Sequence, residues 1–162
     1  MSRLDSFIAR MQAQRDCLNF LAERVRALPG PILEVGLGNG RTYDHLRTLF
    51  PERDIYVFER KVAAHPDSIP PDDRLFTGEA RDSIPRAARQ LGATAALIHT
   101  DLGTGDHAAN MAMGDWLGPA LDALAAKGGY ILANQPLTVA RWQRLSEPPG
   151  VPKDRYFLYR AS

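Results

Sequence analysis

One cysteine, Cys17, is all that this chain of 162 residues contains, so an internal disulfide is excluded and a reducing cytoplasm is the expected compartment. An excess of either charge is missing too. The formal net charge is +1, which gives no electrostatic reason to expect a long nucleic-acid partner. Arg141, Arg144, Arg155 and Arg160 therefore read as a solvated surface. No apolar run is long enough to span a membrane. The first turns of the chain are interrupted by Arg10, Arg15, Asp16, Glu23 and Arg24, which excludes the continuous apolar core of a secretory signal. Repeats and low-complexity tracts are absent as well. What is present, 44% hydrophobic and 24% charged residues, is ordinary globular composition, and the length suits one domain over 1–162.

The most informative stretch is Pro31-Ile-Leu-Glu-Val-Gly-Leu-Gly-Asn-Gly-Arg-Thr42. Ile32, Leu33 and Val35 predict a buried parallel strand, and Gly36, Gly38 and Gly40 follow in a turn where missing Cβ atoms let a ligand reach the backbone. Tyr43, Leu46 and Leu49 or Phe50 recur at helical spacing until Pro51, which puts the glycines at a helix N-terminus with free N–H groups. A dinucleotide fingerprint would need a small residue at position 41. Here that position is Arg41.

Four more apolar runs follow, each ending near a polar residue. Asp54-Ile-Tyr-Val-Phe-Glu59 places Glu59 at 23 residues beyond Gly36, where an α/β nucleotide fold puts its ribose-binding carboxylate. Arg74 to Asp82 contains Gly78-Glu79-Ala80, Ala95 to Asp101 ends in Asp101, and Gly128 to Asn134 ends in Asn134. Leu117, Leu121 and Leu124 precede the last of these as a helical stripe, and Lys127-Gly128-Gly129 reads as a helix stop. Arg155 to Arg160 alternates enough to be a final strand, antiparallel at or near the sheet edge, behind a polar loop over Ser146 to Asp154. Leu4, Phe7, Ile8, Met11, Leu18, Leu21, Val25 and Leu28 form an amphipathic helical pattern. Gln14 and Arg15 break that stripe. Either two helices or polar side chains turned towards a pocket would account for the break, and the segment is expected to pack on the sheet as part of a lid over that pocket, with a homodimer helix as the alternative.

Together these elements, over roughly 31–135, resemble the class I S-adenosylmethionine-dependent methyltransferases of the small bacterial type. The resemblance implies an α/β, doubly wound, mostly parallel Rossmann-like sheet of about six strands, with an N-terminal helical segment over 1–28 and a C-terminal loop and strand over 136–162. It implies S-adenosyl-L-methionine as cofactor, held by Glu34, Gly36, Gly38, Gly40, Glu59, Arg60, Glu79, Ala80 and Asp101. The acceptor is expected to be a small molecule, with Asp101, His107 and Asn134 near the methyl and Asp106 close by. A flexible Gly103-Thr104-Gly105 turn would let His107 swing over the pocket, and Trp116 would supply an aromatic wall. His99, inside an apolar run, reads instead as a core histidine with a hydrogen-bonded ring. Catechol-type relatives hold Mg²⁺ with an Asp after strand four and an Asp-Asn pair after strand five. Asn134-Gln135 stands in place of that pair, so too few carboxylates remain for a hard cation and metal independence is expected. The other readings are a non-catalytic binding module for the same cofactor and an NAD(P)-binding oxidoreductase.

Overall fold

The computed structural model describes residues 1–103 and 106–162. Among these, the order is α1 (Arg3–Val25), β1 (Ile32–Val35), α2 (Arg41–Leu49), β2 (Ile55–Glu59), β3 (Leu75–Thr77), α3 (Ala80–Leu91), β4 (Ala95–Thr100), α4 (His107–Asp122), β5 (Ala125–Ala133), β6 (Trp142–Leu145) and β7 (Phe157–Ala161), with two short 3₁₀ turns before β3. The seven strands form one sheet in the order β3-β2-β1-β4-β5-β7-β6. β1 to β5 run parallel, while β7 is antiparallel to both of its neighbours.

Side chains alternate across each strand, so the sheet needs cover on both faces, and two separate cores supply it. One joins Cys17, Leu18, Leu21 and Val25 of α1 and Leu46 of α2 to the sheet. The other packs Ile84 of α3 and Leu117 and Leu121 of α4 on the opposite face. α1 is one unbroken helix opened by a capping box, in which the Ser2 hydroxyl accepts from the Asp5 N–H and the Asp5 carboxylate accepts from the Ser2 N–H. Its break in apolar pattern marks a buried polar residue, Gln14, rather than a second helix. Burial on α1 begins at Ala13, and residues 3–9 are all exposed.

Two expectations need correction. Trp142–Leu145 forms the edge strand β6, which makes the sheet seven-stranded where about six were expected; two consecutive exposed polar residues, Gln143 and Arg144, hid the period-two pattern. Lys127-Gly128-Gly129 lies inside β5, not at a helix end, because α4 stops at Asp122. The glycines serve a bulge. The register slips between Ala95 opposite Ala125 and Leu97 opposite Tyr130, Gly128 has φ +79°, and a Cβ on Gly129 would sit 2.7 Å from the Ala95 carbonyl oxygen. Among the described residues no helix is long and apolar enough to cross a membrane.

Burial of two acidic protons makes alkaline pH the weak side of this fold. Burial pushes the Cys17 thiol from 9.0 up to about 12, helped by the charges of Asp16 and Glu147. It pushes the Tyr156 phenol from 10.0 up to about 12, helped by Asp101. Folding therefore favours the protonated forms, and that stability is complete below pH 9 and is lost as pH rises towards 12. Melting temperature should be flat through pH 8 and fall beyond pH 9, with a shallower fall in Cys17→Ala; identical slopes would remove the thiol from this account.

Candidate functional site

The C-terminal ends of the parallel strands meet at the point where strand order reverses, between β1 and β4. Val35 pairs with Phe58 on one side and Thr100 on the other, and Thr100 pairs with Ala133. Three further backbone bonds extend this ladder past the strands: Gly36 N–H to the Phe58 carbonyl at 2.9 Å, Asp101 N–H to Val35 at 3.1 Å, and Asn134 N–H to Thr100 at 3.2 Å. The strands thus deliver the glycine turn, Asp101 and Asn134 side by side. In open α/β sheets this is where ligands bind.

A cavity of about 830 Å³ opens there, lined by Gly36, Gly38, Glu59, Glu79, Asp101 and Trp116 among others. A second depression, near Pro29 and Arg53 at the opposite end of the sheet, lacks the glycine turn, Glu59, Glu79 and Asp101. The three turn glycines divide their work. All have positive φ, +97°, +53° and +87°. Gly38 is exposed with nothing within 4 Å of where a Cβ would stand, so its backbone is open to a ligand; a Cβ on Gly40 would lie 2.5 Å from the Ser68 Cβ, so that residue is needed for packing and caps α2. Gly40 is not on the cavity wall.

Glu59 sits on the wall and also shapes it. Its Oε2 accepts from the Leu37 and Gly38 N–H groups at 2.9 and 3.1 Å, and its Oε1 accepts from the Lys61 N–H at 3.1 Å. A carboxylate has about four acceptor positions, so these bonds leave capacity for ribose hydroxyls. Arg60 and Glu79 face each other across the rim at 3.5 Å, and Ala80 starts α3 beside them. Ser83, fully buried on the same wall, has a hydroxyl without a hydrogen-bond partner among the described residues.

Asp101 touches two environments. It lines the cavity, while its Oδ2 accepts from Gln14 Nε2 at 3.0 Å and lies 3.7 Å from Arg10 Nη1. Asn134 Nδ2 donates to the Leu102 carbonyl at 2.9 Å, and its Oδ1 is buried without a partner among the described residues. Glu34 does not reach the cavity. It is 1% exposed and its carboxylate accepts from His99 Nδ1 at 2.9 Å across the β1–β4 pair. Burial raises the Glu34 carboxyl, against the pull of the imidazole. Burial would lower His99, but the charge and hydrogen bond of Glu34, with the charge of Asp101, together lift the ring above its ordinary value. His107 is exposed at the first position of α4, and Asp106 caps that helix by accepting from the Ala108 and Ala109 N–H groups. Of the Gly103-Thr104-Gly105 turn, Thr104 and Gly105 lie outside the described residues.

Gln14 left a signal in the sequence, a polar break in an apolar stripe for which a side chain turned towards a pocket was one of two readings. Arg81, whose guanidinium stands 4.5 Å over the Trp116 ring, and Met113 beside it left none. A cradle that Cβ atoms would fill, an orphaned buried hydroxyl and two rim carboxylates fit an adenosyl ligand with a cationic centre.

The sheet order, the glycine turn and the strand-two carboxylate define a class I methyltransferase architecture. The chain belongs to a family described as S-adenosyl-L-methionine methyltransferase, whose sequence profile matches residues 1–161. A crystal structure of an S-adenosyl-L-methionine methyl transferase from Silicibacter pomeroyi superposes with a TM-score of 0.95 at 42% identity, covering 100% of this chain and 99% of that one. A 16S rRNA (adenine(1408)-N(1))-methyltransferase from Catenulisporales acidiphilia, solved with its cosubstrate, matches at TM-score 0.51 and 12% identity over 88% of this chain and 90% of that one. The aminoglycoside resistance methyltransferase NpmB1 matches at 0.55 and 12% over 88% and 92%. These last two likenesses show the fold alone. Comparison with curated proteins finds no match.

The glycine turn makes a paired prediction. Gly40→Ala should lower the melting temperature through strain and contact with Ser68, while Gly38→Ala, costing only the roughly 1–2 kcal/mol of a left-handed non-glycine residue, should fold but bind S-adenosylhomocysteine more weakly. Equal effects of both on calorimetric affinity per folded molecule would show that the division is wrong.

Proposed function

We propose that this methyltransferase acts on a small-molecule acceptor bound beside Asp101, between the loop after β4, the loop at Asn134 to Leu137, and α1. One observation carries the reading: Asp101 lies on the cavity wall and against α1 at once. In this reading Gly36, Gly38, Glu59, Arg60, Glu79 and Ala80 hold S-adenosyl-L-methionine, with Glu59 on the ribose and the Gly78-Glu79-Ala80 segment along the adenine. Gly40 and Glu34 act at one remove, through the turn and through His99.

S-adenosyl-L-methionine held by these residues would supply a methyl already activated for in-line substitution. The chain's task is alignment and exclusion of water. Asp101 takes the acceptor's proton, with Asn134 anchoring the loop it stands on through Leu102 and His107 at the outer edge. Met113 and Trp116 of α4 give the cavity an apolar wall beside Arg81 and the Gly78-Glu79-Ala80 segment. A net charge of +1 offers little pull on a polyanion. The donor set around Asp101, with amides at Asn134 and Gln135, suits metal-free transfer.

Calorimetry should detect S-adenosylmethionine and S-adenosylhomocysteine but neither NAD nor NADP, and Glu59→Ala should weaken both ligands by roughly 1–3 kcal/mol. Incubation of the protein with methyl-labelled cofactor and cell extract should put label into the low-mass fraction and should survive exhaustive EDTA. Label in rRNA would overturn the acceptor class, loss restored by Mg²⁺ would overturn metal independence, and binding without any transfer would favour a non-catalytic module. With an acceptor in hand, Asp101→Asn should lower turnover far more than cofactor affinity.

A further inference from the structure

Behind Asp101, on the sheet face covered by α1, four side chains form an unbroken hydrogen-bonded chain. Glu34 accepts from His99 Nδ1 at 2.9 Å. His99 Nε2 lies 3.1 Å from Gln14 Nε2, and that same nitrogen donates to Asp101 Oδ2 at 3.0 Å. Glu34, His99 and Gln14 are 1%, 0% and 5% exposed, so water cannot stand in for a missing partner.

One amide nitrogen serving two neighbours restricts the protons on both. A carboxylate only accepts, so Gln14 turns its nitrogen to Asp101, and His99 Nε2 must then be bare, with the ring proton on Nδ1 facing Glu34. A second arrangement is equally consistent. If the amide turns over, its oxygen takes the shared place and both neighbours must donate: Asp101 carries a proton and His99 carries one on Nε2. With Nδ1 and Glu34 still sharing theirs, this state holds two more protons than the first, one on Asp101 and one in the imidazole–carboxylate pair. Ionised Asp101 together with a protonated Nε2 would set donor against donor or acceptor against acceptor at the shared amide inside the fold.

We propose that Gln14, His99 and Glu34 are positioning residues for Asp101, and that the shared Gln14 amide makes proton binding at Asp101 and at His99 cooperative. The proposal rests on reading Asp101 as the base of the proposed reaction. It gives that base a fixed orientation and two defined proton states, ionised before transfer and protonated after. The other groups facing the chain fit these states. Arg10 Nη1 on α1 stands 3.7 Å from Asp101 Oδ2. Tyr156, ahead of β7, stays a neutral phenol, its proton held up to about 12 by burial and by Asp101. Glu34 supports a charged imidazole against burial, which brings the two-proton state within reach.

The sign of one shift separates this coupling from plain electrostatics. Through space, the negative charge of Asp101 favours a charged His99, so removing it would lower the ring's titration midpoint. Through the shared amide, ionised Asp101 holds a donor against Nε2 and opposes that proton, so removing it would raise the midpoint. Ring ¹⁵N spectra of labelled protein, assigned by substituting the other three histidines, read both. The native chain should show a bare Nε2 and a protonated Nδ1 at pH 7.5. Asp101→Asn should raise the His99 midpoint by about one pH unit, and in a Gln14→Leu background the same substitution should lower it, the cycle isolating the bridge. An Nε2–H ring in the native chain, or a midpoint that stays or falls alike in both backgrounds, overturns the proposal. Should Gln14→Leu fail to fold, the native tautomer and the sign in Asp101→Asn alone still decide. Calorimetry of S-adenosylhomocysteine on the same samples tests the cofactor reading separately, since its failure would leave the ring spectra unaffected.

Discussion

The hydrogen bond between Glu34 and His99, across the two central parallel strands, is the constraint around which the rest of the site is arranged. A carboxylate at 1% exposure is tolerated only with a partner, and losing that partner costs on the order of 3–5 kcal/mol. β1 and β4 must therefore pair in the one register that sets Glu34 opposite His99. That register in turn fixes Gly36 and Asp101, the next residues out of each strand, as neighbours. The ring's far nitrogen also needs a partner, and α1 provides Gln14 at the cost of a polar residue in its apolar stripe.

On the other side of the sheet's end, the glycine turn obeys a different rule. Glu59 ties the turn's N–H groups from β2, so the loop is shaped by the same carboxylate that is proposed to meet the ribose. Binding and loop geometry are linked through one side chain, and the loop is preorganised to the extent that those bonds persist with ligand present.

The alternating architecture could be read from the sequence because parallel strands are continuous apolar runs and the helices between them keep a 3.6-residue period. The placement of Gly36, Gly38, Glu59, Glu79 and Asp101 beside the cleft was legible for the same reason: each lies at, or within three residues of, the end of its strand. What was not legible depends on contacts between distant segments. Glu34 looks like a strand-end acid, and only the facing imidazole 65 positions away shows that it points into the core. Gly40 looks like its two companions until Ser68 is seen packed against it. The Gly128-Gly129 pair resembles a helix stop because a bulge and a C-cap both call for the same residue at positive φ.

The exposed first half of α1 gives the acceptor side of the cleft an unusual mechanical character. The helix is a continuous rod clamped to the sheet only from Ala13 onward, and the ten residues Arg3 to Gln12 extend it by about 15 Å at 1.5 Å per residue. Gln14 and Arg10 lie close to the point where the helix meets the sheet, and both face Asp101. Anything that settles on Leu4, Phe7 or Ile8 would therefore load a helix whose buried hydrogen bonds run from Gln14 to His99 and Asp101.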